Sequence, residues 1–162
     1  MILKENNYAF IDSQNLNLGI QDMVWQLDWK RFRVYLLEKY KISKAYLFLG
    51  YIPKNQQLYL RLKTAGFELI FKPVIITKNA EVKGNCDSEL VLQSMIDLKN
   101  YNEAIIVSGD GDFYCLIKYF YKIDKLKYVM APNLNKCSAL LKQSAREKIL
   151  YMNNLRGILE YK

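Results

Sequence analysis

Histidine is absent from the 162-residue chain. Histidine triads, histidine–cysteine dyads and zinc sites built on HExxH are therefore excluded. Hydrolytic chemistry, if present, rests on carboxylates, lysines or a metal held by oxygen ligands. Cysteine is scarce as well: Cys86, Cys115 and Cys137 cannot all pair, and no CxxC spacing occurs. Three free thiols in a reducing, cytoplasmic setting are the simplest expectation. With three prolines and seven glycines there is no Pro/Gly/Ser-rich linker, so one domain spanning residues 1–162 is expected. No stretch reaches the roughly 20 apolar residues that cross a bilayer, and MILKENNYAFID does not read as a signal peptide. No membrane partner is expected.

What is present is charge of one sign. Lys and Arg number 24 against 16 Asp and Glu, a formal net charge of +8. Such a balance attracts polyanions by counterion release and steering. A lysine-rich solvated surface produces the same number, so charge alone does not decide.

Short apolar runs alternate with helical patterns. Tyr8–Asp12, Lys44–Tyr51, Phe67–Phe71, Glu103–Ser108 and Lys127–Ala131 read as strands, and Ile149–Met152 as a short strand or turn. Helices are expected from Asp28 as N-cap through Lys39, over Asn55–Ala65 with Gly66 as the stop, and over Asp87–Lys99. Further helices are expected over Phe113–Ile123, Ser138–Arg146 and Asn154–Glu160. The segment Val74–Glu81 looks exposed. This alternation implies right-handed βαβ crossovers, hence a three-layer α/β/α sandwich, Rossmann-like, around a mostly parallel sheet. Ligands of such sheets collect beyond the carboxyl ends of the strands.

Two acids fall at those ends. Asp12 closes the first strand and is followed by polar turn residues, so it can be a ligand or an ordinary cap. In Ser108-Gly109-Asp110-Gly111-Asp112, two glycines permit a sharp turn. Asp112 can cap the next helix, which leaves Asp110 unexplained. Two carboxylates about 5 Å apart repel by roughly 3 kcal/mol at an effective dielectric near 20, a cost that a cation reverses. Asp87 stands at a helix start and is either a cap or a third ligand. Glu89, two residues on, points away from it on an ideal helix. Oxygen ligands without His or Cys select Mg²⁺ or Mn²⁺, and phosphodiester hydrolysis is the reaction that best explains the set. An aspartyl phosphatase would need DxD after the first strand, where this chain has Asp12-Ser13-Gln14.

These segments resemble the NYN group of PIN-like nuclease domains. The likeness rests on Ile11-Asp12-x-x-Asn15, on Lys83-Gly84 with Asp87 three residues later, and on Val107-Ser108-Gly109-Asp110-x-Asp112-Phe113. Ser138-x-x-Leu141-x-x-x-Ala145 is a looser echo. The resemblance implies a Mg²⁺- or Mn²⁺-dependent ribonuclease in which Asp12, Asp87 and Asp110 ligate metal. Asp112 would ligate directly or through water, and Asn15 would orient the scissile phosphate or a metal-bound water. The implied partner is RNA or another single-stranded nucleic acid, and a homodimer is compatible with this reading. Ser108, Lys78, Lys83 and Tyr114 are the candidate substrate contacts, Tyr114 by base stacking. Gln93 stands where relatives carry a further acid. It therefore weakens the expectation of a second metal and of turnover, leaving an RNA-binding module with little activity as the alternative. An acid restored at 93 is expected to tighten metal binding.

Overall fold

The computed structural model describes residues 4–76, 82–83 and 85–162. Its first strand, β1 (Asn7–Asp12), runs directly into helix α1 (Ser13–Asp22). Then follow α2 (Trp29–Tyr40), β2 (Ile42–Gly50), α3 (Gln56–Ala65) and β3 (Phe67–Lys72). A two-stranded antiparallel ribbon, β4 (Ile75–Ile76) with β5 (Val82–Lys83), precedes α4 (Asp87–Ile96). The remainder comprises β6 (Ala104–Val107), α5 (Tyr114–Lys122), β7 (Leu126–Ala131), α6 (Ala139–Ala145), β8 (Ile149–Tyr151) and α7 (Arg156–Leu159). The six long-range strands form one parallel sheet in the order β3-β2-β1-β6-β7-β8.

This order places the site. The chain winds outward from β1 through β2 to β3, then returns and winds the other way from β6. The reversal falls between β1 and β6, where diverging loops open a crevice at the carboxyl edge. β1 and β6 pair in register with Ile11 opposite Val107, which sets Asp12 across from Ser108.

The central strands β1 and β6 are buried on both faces, as a covered parallel sheet requires. Side chains alternate along β1. Ala9 and Ile11 enter a core with Leu16, Ile20, Phe32, Leu36 and Leu47 under α1 and α2. Tyr8 and Phe10 enter the other core with Leu90, Phe113, Leu116, Phe120 and Leu141 under α4, α5 and α6. The same alternation puts Asp12 on the α4/α5 side.

The expected three-layer fold is the observed one, and the differences are local. Residues 13–22 form a helix where a polar turn is expected, because the Asp12 side chain caps it. Its buried stripe is only Leu16, Gly19 and Ile20. Gly19 is obligatory for this packing: a Cβ there would lie 2.7 Å from Cβ of Pro132. β2 starts two residues earlier than expected, at Ile42, and α4 ends at Ile96 rather than Lys99. Asp28 caps α2 by accepting from the Arg31 N–H at 3.1 Å, and Gly66 ends α3 at φ 105°, both as read from sequence. The terminal helix is reduced to a 3₁₀ turn over Met152–Leu155 and the single turn α7. Within the exposed-looking segment, residues 77–81 lie outside the described residues.

Candidate metal centre

Asp12 is held from two directions. One carboxylate oxygen accepts from the Asn15 N–H at 3.2 Å as the cap of α1, and the other accepts from the Ser108 hydroxyl at 3.2 Å. Ser108 is fully buried, and its Oγ also accepts from the Asp110 N–H at 3.1 Å. It thus bridges the two acids inside the protein instead of facing a substrate.

The glycine-rich turn after β6 is clamped between helices. The Gly109 N–H donates to Asn15 Oδ1 at 2.8 Å, and the Gly109 carbonyl accepts from the Ser138 N–H at 3.0 Å. Gly111 lies so close to the start of α6 that a Cβ there would sit 3.0 Å from Cβ of Ser138. The expected ligand Asp110 also takes the capping part expected of Asp112. Asp110 is the cap, accepting from the Asp112 N–H at 2.9 Å at the head of a 3₁₀ turn, Gly111–Phe113. Asp112 points outward and is exposed.

Asp87 opens α4, and its N–H donates to Asn85 Oδ1 at 2.8 Å. Lys72, at the end of β3, donates to the Asn85 carbonyl and lies 3.9 Å from Glu89. Lys72 was not singled out from sequence, because its partners stand 13 and 17 residues downstream, across the ribbon loop. The other Glu89 oxygen, Oε2, is buried without a hydrogen-bond partner.

The topology therefore gathers Asp12, Asp87 and Asp110, each offering a carboxylate oxygen, all within 4.8 Å of one another. Among the described residues no Lys or Arg is ion-paired to any of the three. Burial raises the Asp12 carboxyl to about 6, with Asp87 and Asp110 adding repulsion against the hydrogen bonds from Asn15 and Ser108. Asp87 is raised too, by burial first and then by Asp110. Burial leads both shifts and the neighbouring acids add to it, and a cation held among them would act in the opposite direction. A donor set of three carboxylate oxygens at this spacing fits a hard divalent ion such as Mg²⁺ or Mn²⁺.

Several expected residues fall elsewhere. Gln93 does not face the cluster: its Nε2 donates to Asp97 at 3.0 Å, and Asp97 also accepts from the Tyr46 hydroxyl at 2.6 Å. Tyr114 is exposed at the start of α5. Lys78 and Gly84 lie outside the described residues, and Lys83 is described only through its backbone pairing with Ile75. Among the described residues no helix is long and apolar enough to cross a membrane.

A parallel α/β/α sheet with acids converging at its switch point defines the PIN-like class of domains. A family model described as the NYN domain matches residues 8–151, and the chain belongs to that nuclease-like family, part of the PIN-like superfamily, whose members generally bind RNA. Low amplitude and bright protein LabA from Synechococcus elongatus is 24% identical over 161 residues, covering 93% of this chain and 86% of that protein. A crystal structure of a protein of unknown function from Vibrio parahaemolyticus superposes with a TM-score of 0.78 at 23% identity, covering 98% of this chain and 99% of that one. At that identity the likeness speaks for the fold alone.

Proposed function

We propose that the protein is a Mg²⁺- or Mn²⁺-dependent ribonuclease that hydrolyses RNA phosphodiester bonds. The observation that carries this reading is the convergence of Asp12, Asp87 and Asp110 with no Lys or Arg ion-paired to them among the described residues, in a chain of net charge +8. A bound divalent ion would supply Lewis acidity toward a phosphoryl oxygen and a lowered pKa for the attacking water. The three carboxylates hold that ion. Asp112, exposed beside them, accepts a proton or a hydrogen bond from water at the rim. Ser108 and Asn15 are positioning residues: Ser108 fixes Asp12 relative to Asp110, and Asn15 fixes the Gly109 turn. Lys78 and Lys83 flank the Asp87 loop in sequence and are assigned to phosphates, with Tyr114 as a stacking surface.

A second reading, RNA binding with little turnover, is favoured by the placement of Gln93 on Asp97, which leaves the cluster three acids. One assay separates the two. Single-stranded RNA incubated with Mn²⁺ is cleaved, and cleavage stops on addition of EDTA. Undiminished cleavage in EDTA removes the metal mechanism, and RNA binding without cleavage selects the second reading.

A further inference from the structure

A groove of about 680 Å³ reaches one acid of the cluster, Asp12, which lines it with Ser13 and Cys86, and runs between α1 and the β2–α3 connection. Its volume lies within the ~300–1,000 Å³ of ordinary ligand sites. Among the described residues Asp12 is the one charged residue lining it, although the chain carries 24 basic side chains. The described walls offer a polyanionic backbone no cation, and their apolar and amide groups suit a neutral ring. The outer face of α1 supplies Gln14, Asn17 and Gln21, at helical spacing and all exposed. Leu18 and the half-exposed Ile52 add apolar wall. Side-chain amides offer both donors and acceptors, the complement of a base edge, and apolar walls suit its faces.

We propose that this groove is a nucleobase subsite that receives an unstacked base of single-stranded RNA next to the scissile phosphate and reads it through Asn17 and Gln21. The assignment rests on the ribonuclease reading above and adds a source of base preference to it. α1 then serves two purposes at once. Asp12 at its cap belongs to the carboxylate cluster, and the outer face of the same helix meets the neighbouring base.

The two tryptophans of the chain, Trp25 and Trp29, both line this groove, so their fluorescence reports its occupancy. The intact protein is titrated with adenosine, guanosine, cytidine and uridine, and separately with inorganic phosphate. The expected result is a saturable change with at least one nucleoside, a spread of about tenfold between the tightest and weakest, and none with phosphate. Asn17→Phe combined with Gln21→Phe, which fills the groove from exposed positions, weakens nucleoside binding by at least about tenfold. No saturable change with any nucleoside in the wild type overturns the subsite, whatever the variant does. Unaltered affinity in a folded variant overturns it as well. Mn²⁺-dependent RNA cleavage is measured on the same preparation. Cleavage without nucleoside binding removes the subsite alone, and nucleoside binding without cleavage removes the ribonuclease reading alone.

Discussion

Helix α4 carries an acid at each end, and the fold treats them in opposite ways. Asp87 stands at the amino end, where the helix dipole favours a carboxylate, and Asp97 follows the carboxyl end, where the dipole opposes one. Yet Asp87 is raised above the usual carboxylate range and Asp97 is held below it. Burial pushes both upward. At Asp97 it is outweighed by donors: the Tyr46 hydroxyl, the Gln93 amide at 3.0 Å and the Asn100 amide at 3.4 Å. At Asp87 the largest neighbouring influence is a second acid, Asp110. Asp97 thus collects three side-chain donors, whereas Asp87 is set against a neighbouring acid. A fold keeps such repulsion where a cation is to be held.

The largest effect that could break this contrast is on activity. Asp110→Asn removes a proposed ligand and is expected to lower Mn²⁺-dependent cleavage by at least about a hundredfold, the upper end of what losing a supporting residue costs. RNA affinity, read by gel shift, falls little. Full cleavage in this variant would place the chemistry elsewhere. Asp97→Ala is the counterpart. It strands the Tyr46 hydroxyl and the Gln93 amide in a buried setting and is expected to cost about 2–3 kcal/mol in denaturant unfolding, with Mn²⁺ affinity unchanged.

Asp12 and Asp97 also differ in sign with pH. Asp12, raised to about 6, favours the metal-free fold fully only below the unfolded value near 3.9, and that contribution is lost as pH rises through about 6. Asp12→Asn should therefore stabilise the protein in EDTA at neutral pH by up to about 3 kcal/mol, an advantage that shrinks as pH falls toward 4. Asp97 behaves oppositely: its stabilisation is present above about 3.9 and is lost as pH falls through its depressed folded value. Thermal midpoints recorded against pH in EDTA check both. A flat difference between wild type and Asp12→Asn would mean that Asp12 is not strained.

The smallest effect sharpens the contrast at one residue. An acid at position 93 looks from sequence like a way to restore a missing ligand. In the structure Gln93→Asp sets a carboxylate against Asp97, so it is expected to destabilise by about 1–2 kcal/mol without tightening Mn²⁺ binding. A gain in affinity would return Gln93 to the site.

The parts legible in the sequence are those with local causes. Asp12 and Asp110 fall at strand ends by apolar pattern alone, and the two cores follow from alternation along β1. Asp87 needed the family motif, because a helix-opening acid is equally a cap. Helix α1 was hidden because Asn15, Asn17 and Gly19 read as loop residues. Asn15 in fact anchors Gly109, 94 positions away, and Gly19 makes room for Pro132. The capping by Asp110 in place of Asp112 goes with the clamp that Ser138 and Asn15 place on the turn. Lys72 acquires its partners only through tertiary packing, whereas Gln93 meets Asp97 at a local four-residue helical spacing. Apart from Gln93 and Asp97, which lie four apart at the end of α4, what escaped was contact between residues distant along the chain.

The central claim is that Asp12, Asp87 and Asp110 form one metal centre, and calorimetric titration of the metal-free protein with Mn²⁺ tests it most directly. The account predicts saturable binding in the wild type that is lost in Asp110→Asn and preserved in Asp97→Ala. Absence of binding in the wild type, or equal binding in Asp110→Asn, would contradict it.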